Sequence, residues 1–552
     1  MFSSRFVQIP NRQSFLHEFS KCAICLLTLI ILIFSLPATA ARAQSDKTRK
    51  QAEKAMRSGD FDAAEALWQK VLQSEAQDTT ARSKLSYALY KQRRFVKAYE
   101  EAVRVLKTDP QNARVRALIG AVYLEAGRFQ VASEILRIAL SLNPDEPLAL
   151  ANSALLDFYN NLSHQSLVKL RRATYLEPNE PDFFFARAQV AARSENYREA
   201  ADAYERFLRI ATLADADRRA RIQGLIAFLR YLGSQKKLYD VGGERQTKVN
   251  CEIVNNRPVI EVRVDGKAEP LRFVLDTGSG MTVLSEETAA RLGINPVVQG
   301  GMARAIGGGG KFQIVYGFLK SIEIGAARVA NVPIYIRKFN NGGDKIDGYI
   351  GLSVISKYLT TLDYGDKTFA LARNTSDDHK NAHKPTDPAS LAAIAIASGS
   401  SVPLRITSSG FLSSEVRVDG VEEPLNFIID TGASISVVSN EAAKRGNINS
   451  YAQATMMRVF GAAGVVENVA TLLLPRLQVG DVSREKISVA VLDLQPVNET
   501  SGFEQAGILG GNFLLHYRLT FDFQNASVIF EPTAAKNLSN EKVLSSDDNP
   551  PD

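Results

Sequence analysis

Two aspartates 154 positions apart sit in the same local sequence. Asp276 lies in Val274-Leu275-Asp276-Thr277-Gly278-Ser279-Gly280, and Asp430 in Ile428-Ile429-Asp430-Thr431-Gly432-Ala433-Ser434. Each is an apolar strand pattern running into Asp-Thr-Gly. Two carboxyl groups brought together do not both ionise cheaply: one keeps a proton while the other stays charged, and such a pair activates a water between them. The β-branched Thr277 and Thr431 suit a strand end and bring a hydroxyl that pins a turn. Gly278 and Gly432 allow an approach that a Cβ would block. One Asp-Thr-Gly alone reads as an ordinary β-turn; two in matching contexts read as a functional pair.

The flanks show that the match is a duplication. Glu261 to Asn295 aligns on Glu415 to Asn449 without a gap, with 20 of 35 positions identical. In both copies the segments before the motif alternate apolar and polar residues with period two, which predicts strands. Asp265-Gly266 and Asp419-Gly420 read as hairpin turns. A second repeated signal follows each aspartate: Asp347-Gly348-Tyr349-Ile350-Gly351-Leu352, and Ala506-Gly507-Ile508-Leu509-Gly510-Gly511, with Ile350 aligned on Ile508. Each leads through a short apolar, helix-like stretch to a strand, Leu362-Asp363-Tyr364 or Phe521-Asp522-Phe523.

With both elements present twice, the chain resembles the aspartic protease superfamily, specifically the retropepsin-like module, over about residues 250–373 and 402–533. The resemblance implies two all-β barrels facing each other across a pseudo-twofold axis, with catalytic Asp276 and Asp430 meeting at its centre. It implies that Thr277 and Thr431 bond across the axis, and that Thr277, Gly278, Ser279, Thr431, Gly432 and Ala433 form the supporting loops. Family members with Ser at position 279 use its hydroxyl to support the ionised carboxylate. Since the counterpart is Ala433, Asp276 is expected to be the easier of the two to ionise. The glycine run at Ile306, Gly307 and Gly308 falls where a flap hairpin lies over the cleft, with Phe460 and Gly461 in the equivalent place of the second copy. It lacks the Lys-Ser/Thr and following helix of a phosphate-binding loop. Tyr316 lies too far along to stand for the flap tyrosine of pepsin-like enzymes.

Ahead of these modules, residues 45–235 are helical and periodic. Phe61, Phe95 and Phe129 are spaced by 34, as are Ala64, Ala98 and Ala132, and Pro110, Pro144 and Pro178. Tyr197 and Ala200 continue the register two steps on. This period resembles that of tetratricopeptide repeats, over five units. The small Ala lets two helices cross closely, the aromatic fills the space beside it, and the Pro stops the second helix. The fourth unit departs from the pattern, with Ser163 and Ser166 in place of the aromatic and the Ala. Asp217 to Leu232 reads as a capping helix with Ile222, Leu225, Ile226, Leu229 and Leu232 on one face. The resemblance implies an all-α solenoid whose concave face holds a protein partner or peptide; a spacer is the plainer alternative.

The remaining segments bound the reading. In residues 1–43, Arg5, Arg12 and Lys21 precede a 15-residue apolar run from Cys22 to Leu36, followed by Ala38-Thr39-Ala40 and Ala41-Arg42-Ala43. That is the pattern of an export signal, shorter than the ~20 residues of a membrane span. A cleaved signal places the chain in the periplasm or outside the cell; an uncleaved one anchors it to the membrane with its domains outside the cytoplasm. Cys251 would then be the one cysteine left, so no internal disulfide is expected. Residues 233–250 read as a polar connector, 374–401 as a linker with a possible short helix, and 534–552 as a disordered tail. The formal charge of +6 is spread without a basic block, so nucleic acid is not implied. The five His residues are scattered and no metal or other cofactor is implied. The expectation is an exported aspartic endopeptidase whose repeat arm recruits a protein substrate or partner. Three other readings stay open: a silent peptide-binding module, a scaffold acting through its repeats, and a homodimer in which modules pair between chains.

Overall fold

The computed structural model describes residues 44–211, 215–304, 311–339, 345–373, 399–461 and 464–533. The export segment at 1–43, Ile306, Gly307 and Gly308, most of the 374–401 linker and the 534–552 tail lie outside the described residues. The chain divides into two compact units, one up to Leu118 and one from Ile119 onward.

Eleven helices run from residue 44 to Leu232 among the described residues. Those at Phe61–Ser74, Phe95–Thr108, Phe129–Leu142, Ser163–Leu176 and Tyr197–Ile210 begin 34 residues apart. Each small position of the repeat is fully buried: Ala64, Ala98, Ala132 and Ala200, and Ser166 in the divergent fourth unit. Ser166 keeps the register because its side chain is little larger than alanine, at the expense of a hydroxyl buried without a hydrogen-bond partner. The intervening helices start on side-chain caps or on proline: Asp78 accepts from the amides of Thr80 and Ala81, while Pro147 and Pro181 occupy first-turn positions. In the first unit Trp68 and Leu85 are buried, and Ser86 donates to the Ala98 carbonyl at 2.6 Å.

In the second unit, the helices from Phe129 onward are followed by two β modules. The first is a nine-stranded sheet including Arg257–Val264, Leu271–Leu275, Thr282–Ser285, Ala327–Arg337 and Gly348–Ile350. The second is an eight-stranded sheet with the matching strands Leu412–Val418, Leu425–Ile429, Ser436–Ser439, Val482–Leu492 and Gly507–Leu509. A third, six-stranded sheet joins them, with Thr360 to Asp363 pairing antiparallel with Phe521 to Arg518. The two modules therefore pair within one chain. The connector is more structured than a polar loop. Asp240–Gly243 pairs with Ala327–Ala330, and Gln246–Asn250 forms an edge of the joining sheet against Thr368–Ala372. Likewise the second module begins with strand Ser400–Pro403, which pairs with Ser527–Phe530.

The repeat helices are packed onto the modules. Phe503 is buried against Phe129 and Tyr159, with ring centroids 4.8 and 4.9 Å away. Tyr159 donates to the Gly502 carbonyl at 3.1 Å, and the Glu504 amide to the Glu125 carbonyl at 2.8 Å. The capping helix, Ala216–Leu232, buries Gly224 and Phe228 beside Ile222, Leu229 and Leu232. Phe228 stacks on Tyr316 at 4.1 Å, which places Tyr316 in the core and away from any cleft. The helix buries more than the one stripe read from its sequence because it packs on both the preceding repeat helix and strand Val298–Arg304. Among the described residues no helix is long and apolar enough to cross a membrane.

Candidate active site

The strands Leu271–Leu275 and Leu425–Ile429 are apolar because they lie in the middle of their sheets. Each is flanked by a short parallel strand that supports the turn beyond it. Ile350 registers with Leu275, and its carbonyl accepts from the Asp276 amide at 3.0 Å. Leu509 registers with Ile429, and its carbonyl accepts from the Asp430 amide at 3.0 Å. The structural counterpart of Ile350 is therefore Leu509, not Ile508 as the sequence spacing implies. Ser285 and Ser439, at the ends of the next strands, both cap a short helix by accepting from an amide three residues on.

The two turns meet. The Thr277 hydroxyl donates to the Ile429 carbonyl at 2.7 Å, and that of Thr431 to the Leu275 carbonyl at 2.7 Å. Each hydroxyl also accepts the other threonine's amide, at 3.0 and 3.1 Å. Gly278 and Gly432 face the opposing carboxyl groups. A Cβ on Gly278 would come within 2.3 Å of Asp430 Oδ2, and one on Gly432 within 2.6 Å of Asp276 Oδ1.

Asp276 and Asp430 are hydrogen-bonded to each other and buried. Burial pushes both carboxyl groups above the ordinary range, Asp276 well above it because the charge and hydrogen bond of Asp430 add to the effect. Asp430 Oδ1 accepts from the amides of Gly432 at 2.8 Å and Ala433 at 3.2 Å. The Gly278 amide also favours its charge, as does the bond from Asp276. Against these, Asp276 has the Gly278 amide and the more distant charge of Arg337. The proton of the pair thus belongs on Asp276 and the negative charge on Asp430. This reverses the asymmetry expected from Ser279. The Ser279 hydroxyl donates to the Met281 carbonyl at 2.7 Å, bracing its own loop, so it gives Asp276 no support.

Residues 260–354 and 414–513 each match the model of an aspartyl protease family, and residues 55–122 and 91–156 match that of the tetratricopeptide repeat. The two β modules are aspartyl protease modules, retropepsin-like in type, and the helices before them are tetratricopeptide repeats. Similar solved structures include the aspartic proteinase of Irpex lacteus, 14% identical, covering 52% of this chain and 98% of that chain with a TM-score of 0.35. A thermophilic tetratricopeptide-repeat protein of Thermus thermophilus is 20% identical, covering 33% and 98% with a TM-score of 0.29. The MamA protein of Desulfovibrio magneticus is 17% identical, covering 31% and 97% with a TM-score of 0.22. No curated protein matches the chain.

Each protease module also carries a long hairpin: Val298–Arg304 with Lys311–Ile324, and Ala452–Gly461 with Gly464–Val479. Phe460 and Gly461 stand at the end of the second, paired with Val465 and Gly464, and Phe460 is 48% exposed. Arg337 and Tyr349, whose charges reach Asp276, were not singled out from the sequence. The signal available was an arginine ending the otherwise apolar run Val332 to Ile336. Cys251 is buried and its thiol is pushed up to about 11 by burial, which leaves it inert as a nucleophile at neutral pH.

Proposed function

We propose that the chain is an exported aspartic endopeptidase whose repeat helices recruit a protein substrate or partner. The observation that carries this reading is the buried, hydrogen-bonded pair of Asp276 and Asp430, one from each protease module. Asp430, ionised, takes a proton from a water that attacks the peptide carbonyl. Asp276, protonated, donates to the carbonyl oxygen as negative charge develops on it. The proton gained by Asp430 then goes to the leaving amine, and transfer within the pair resets it. The bonds between Thr277 and Thr431 support this assignment by holding both loops to one geometry.

Export rests on the basic and apolar pattern of residues 1–43, with cleavage and anchoring as its two forms. Recruitment rests on the repeat match and on the burial of Phe129 and Tyr159 against Phe503, which ties the repeats from Ile119 onward to the second protease module.

The test is cleavage of an unbiased peptide mixture by the chain from residue 44 onward, scanned from about pH 3 to about pH 8. Asp276→Asn and Asp430→Asn run alongside. Cleavage by the parent and by neither variant supports a single shared site. Residual cleavage by either variant overturns the intramolecular pair, and silence from the parent overturns the peptidase.

A further inference from the structure

The pseudo-twofold relation pairs positions between the modules, and at one pair the chemistry differs. Ser285 registers with Arg337, while Ser439, 154 residues on, registers with Leu492. Val274 registers with Tyr349, and its counterpart Ile428 with Ile508. One module thus has arginine and tyrosine where the other has leucine and isoleucine. Leu492 and Ile508 belong to an apolar cluster against which Ala433 of the aspartate loop and Met457 of the hairpin pack. The matching cluster of the first module is smaller, with Tyr349 at its edge.

Arg337 is a held cation without an anion. Its guanidinium lies 5.3 Å from the ring of Phe312, on the hairpin, and 6.0 Å from that of Phe339. It is half-buried, its Nε is buried without a hydrogen-bond partner, and among the described residues it forms no ion pair. Taking a cation partly out of water is unfavourable, and nothing internal offsets it here. Asp276, which feels its charge, holds the proton of the pair and so is not its counterion. A planar guanidinium braced by aromatic rings is suited to a carboxylate brought from outside.

We propose that Arg337 is the specificity determinant of a subsite for an acidic side chain next to the scissile bond, opposite an apolar subsite at Leu492 and Ile508. This rests on the reading of Asp276 and Asp430 as a peptidase centre. The preferred substrate is then a segment in which Glu or Asp adjoins an apolar residue.

Three octapeptide pools test it, randomised except for a central pair of leucine with Glu, Gln or Lys in either order. At about pH 6, where a free Glu is ionised, the chain from residue 44 onward cleaves the Glu pool about 10- to 100-fold faster than the Gln pool, the range for a hydrogen bond to a charged group. Arg337→Gln brings that ratio close to one, and Arg337→Glu raises the Lys pool above the Glu pool. Equal cleavage of the Glu and Gln pools by the parent overturns the subsite while leaving the peptidase intact. Binding of the same pools to Asp430→Asn, followed by fluorescence anisotropy, separates the two readings. If the parent cleaves nothing, a Glu-over-Gln binding preference lost on adding Arg337→Gln supports the subsite, and its absence overturns it.

Discussion

Thr277 and Thr431 bind each other's loops by the same two bonds in each direction, hydroxyl to carbonyl and amide to hydroxyl. All four partners are buried, so removing one hydroxyl leaves an amide and a carbonyl unsatisfied on the opposite module. Thr277→Val keeps the shape and loses both bonds. It is expected to destabilise the protein by about 2–4 kcal/mol, from about 1–2 kcal/mol for each bond broken at a buried site. Peptide cleavage is expected to fall more than about 10-fold, because the two carboxyl groups lose their fixed separation. Thr277→Ser restores the hydroxyl and most of both quantities. Urea unfolding and kcat/KM measured on the three proteins decide it; a Val variant as active as the Ser variant would contradict the role.

The raised pKa of Asp276 makes a claim about stability as well as activity. A carboxyl group whose pKa is raised by folding holds its proton more tightly in the native state. Its stabilising contribution is complete below the unfolded carboxylate range, at about pH 4, and is lost as pH rises through the folded value. Asp276→Asn mimics the protonated acid at every pH. Its unfolding midpoint is expected to stay flat over the window where that of the parent declines, so that the variant is the more stable of the two at neutral pH. Parallel profiles would show that Asp276 releases its proton without strain and would return the proton to Asp430.

Ser279 supplies the sharpest contrast with expectation. Its hydroxyl braces Met281, so Ser279→Ala removes one loop hydrogen bond, worth about 1 kcal/mol. The acid limb of the activity profile is expected to stay where it is, because that limb reports ionisation of Asp430, held by the amides of Gly432 and Ala433. A displaced acid limb would mean that the Ser279 hydroxyl turns to the carboxyl group during turnover.

What could be read without the structure was what duplication and period display. Asp276 with Asp430, and the series Phe61, Phe95 and Phe129, repeat in local sequence, and local repetition survives in a string of letters. The protonation order does not, because it depends on which amides point at which carboxylate. Both loops have the same Asp-Thr-Gly, yet Asp430 collects more of the donors. The strands Asp240–Gly243 and Gln246–Asn250 were illegible for a different reason. Their burial patterns are exposed and intermediate throughout, so no apolar alternation marks them, and they exist through pairing with Ala327–Ala330 and Thr368–Ala372. Leu509 was misaligned by one place because the neighbouring apolar residues, Ile508 and Leu509, fit the spacing equally well, and only the ladder to Ile429 chooses between them. Arg337 gave the weakest signal, since its meaning lies in the contrast with Leu492, which appears only when the two sheets are laid in register.

Gly224 carries the last prediction, because it couples the repeats to the protease hairpin through backbone contact. The capping helix lies against strand Val298–Arg304 so closely that a Cβ on Gly224 would fall 2.5 Å from the Gly300 Cα. From the other side, a Cβ on Gly301 would fall 2.6 Å from the Arg221 amide nitrogen. Arg221 donates to the Met302 carbonyl at 2.9 Å, and Asp217 pairs with Lys311 on the returning strand. Neither backbone yields without moving its whole element, so Gly224→Ala is expected to cost about 1–3 kcal/mol, the range for overpacking. The displacement falls on the hairpin. Amide exchange is therefore expected to rise along Val298–Arg304 and Lys311–Ile324, while the matching strands of the second module stay protected. Arg221→Ala, which removes one bond without a clash, is expected to give the same pattern at lower amplitude. Faster exchange confined to the capping helix would show that the helix yields alone and that the hairpin is held by its own sheet.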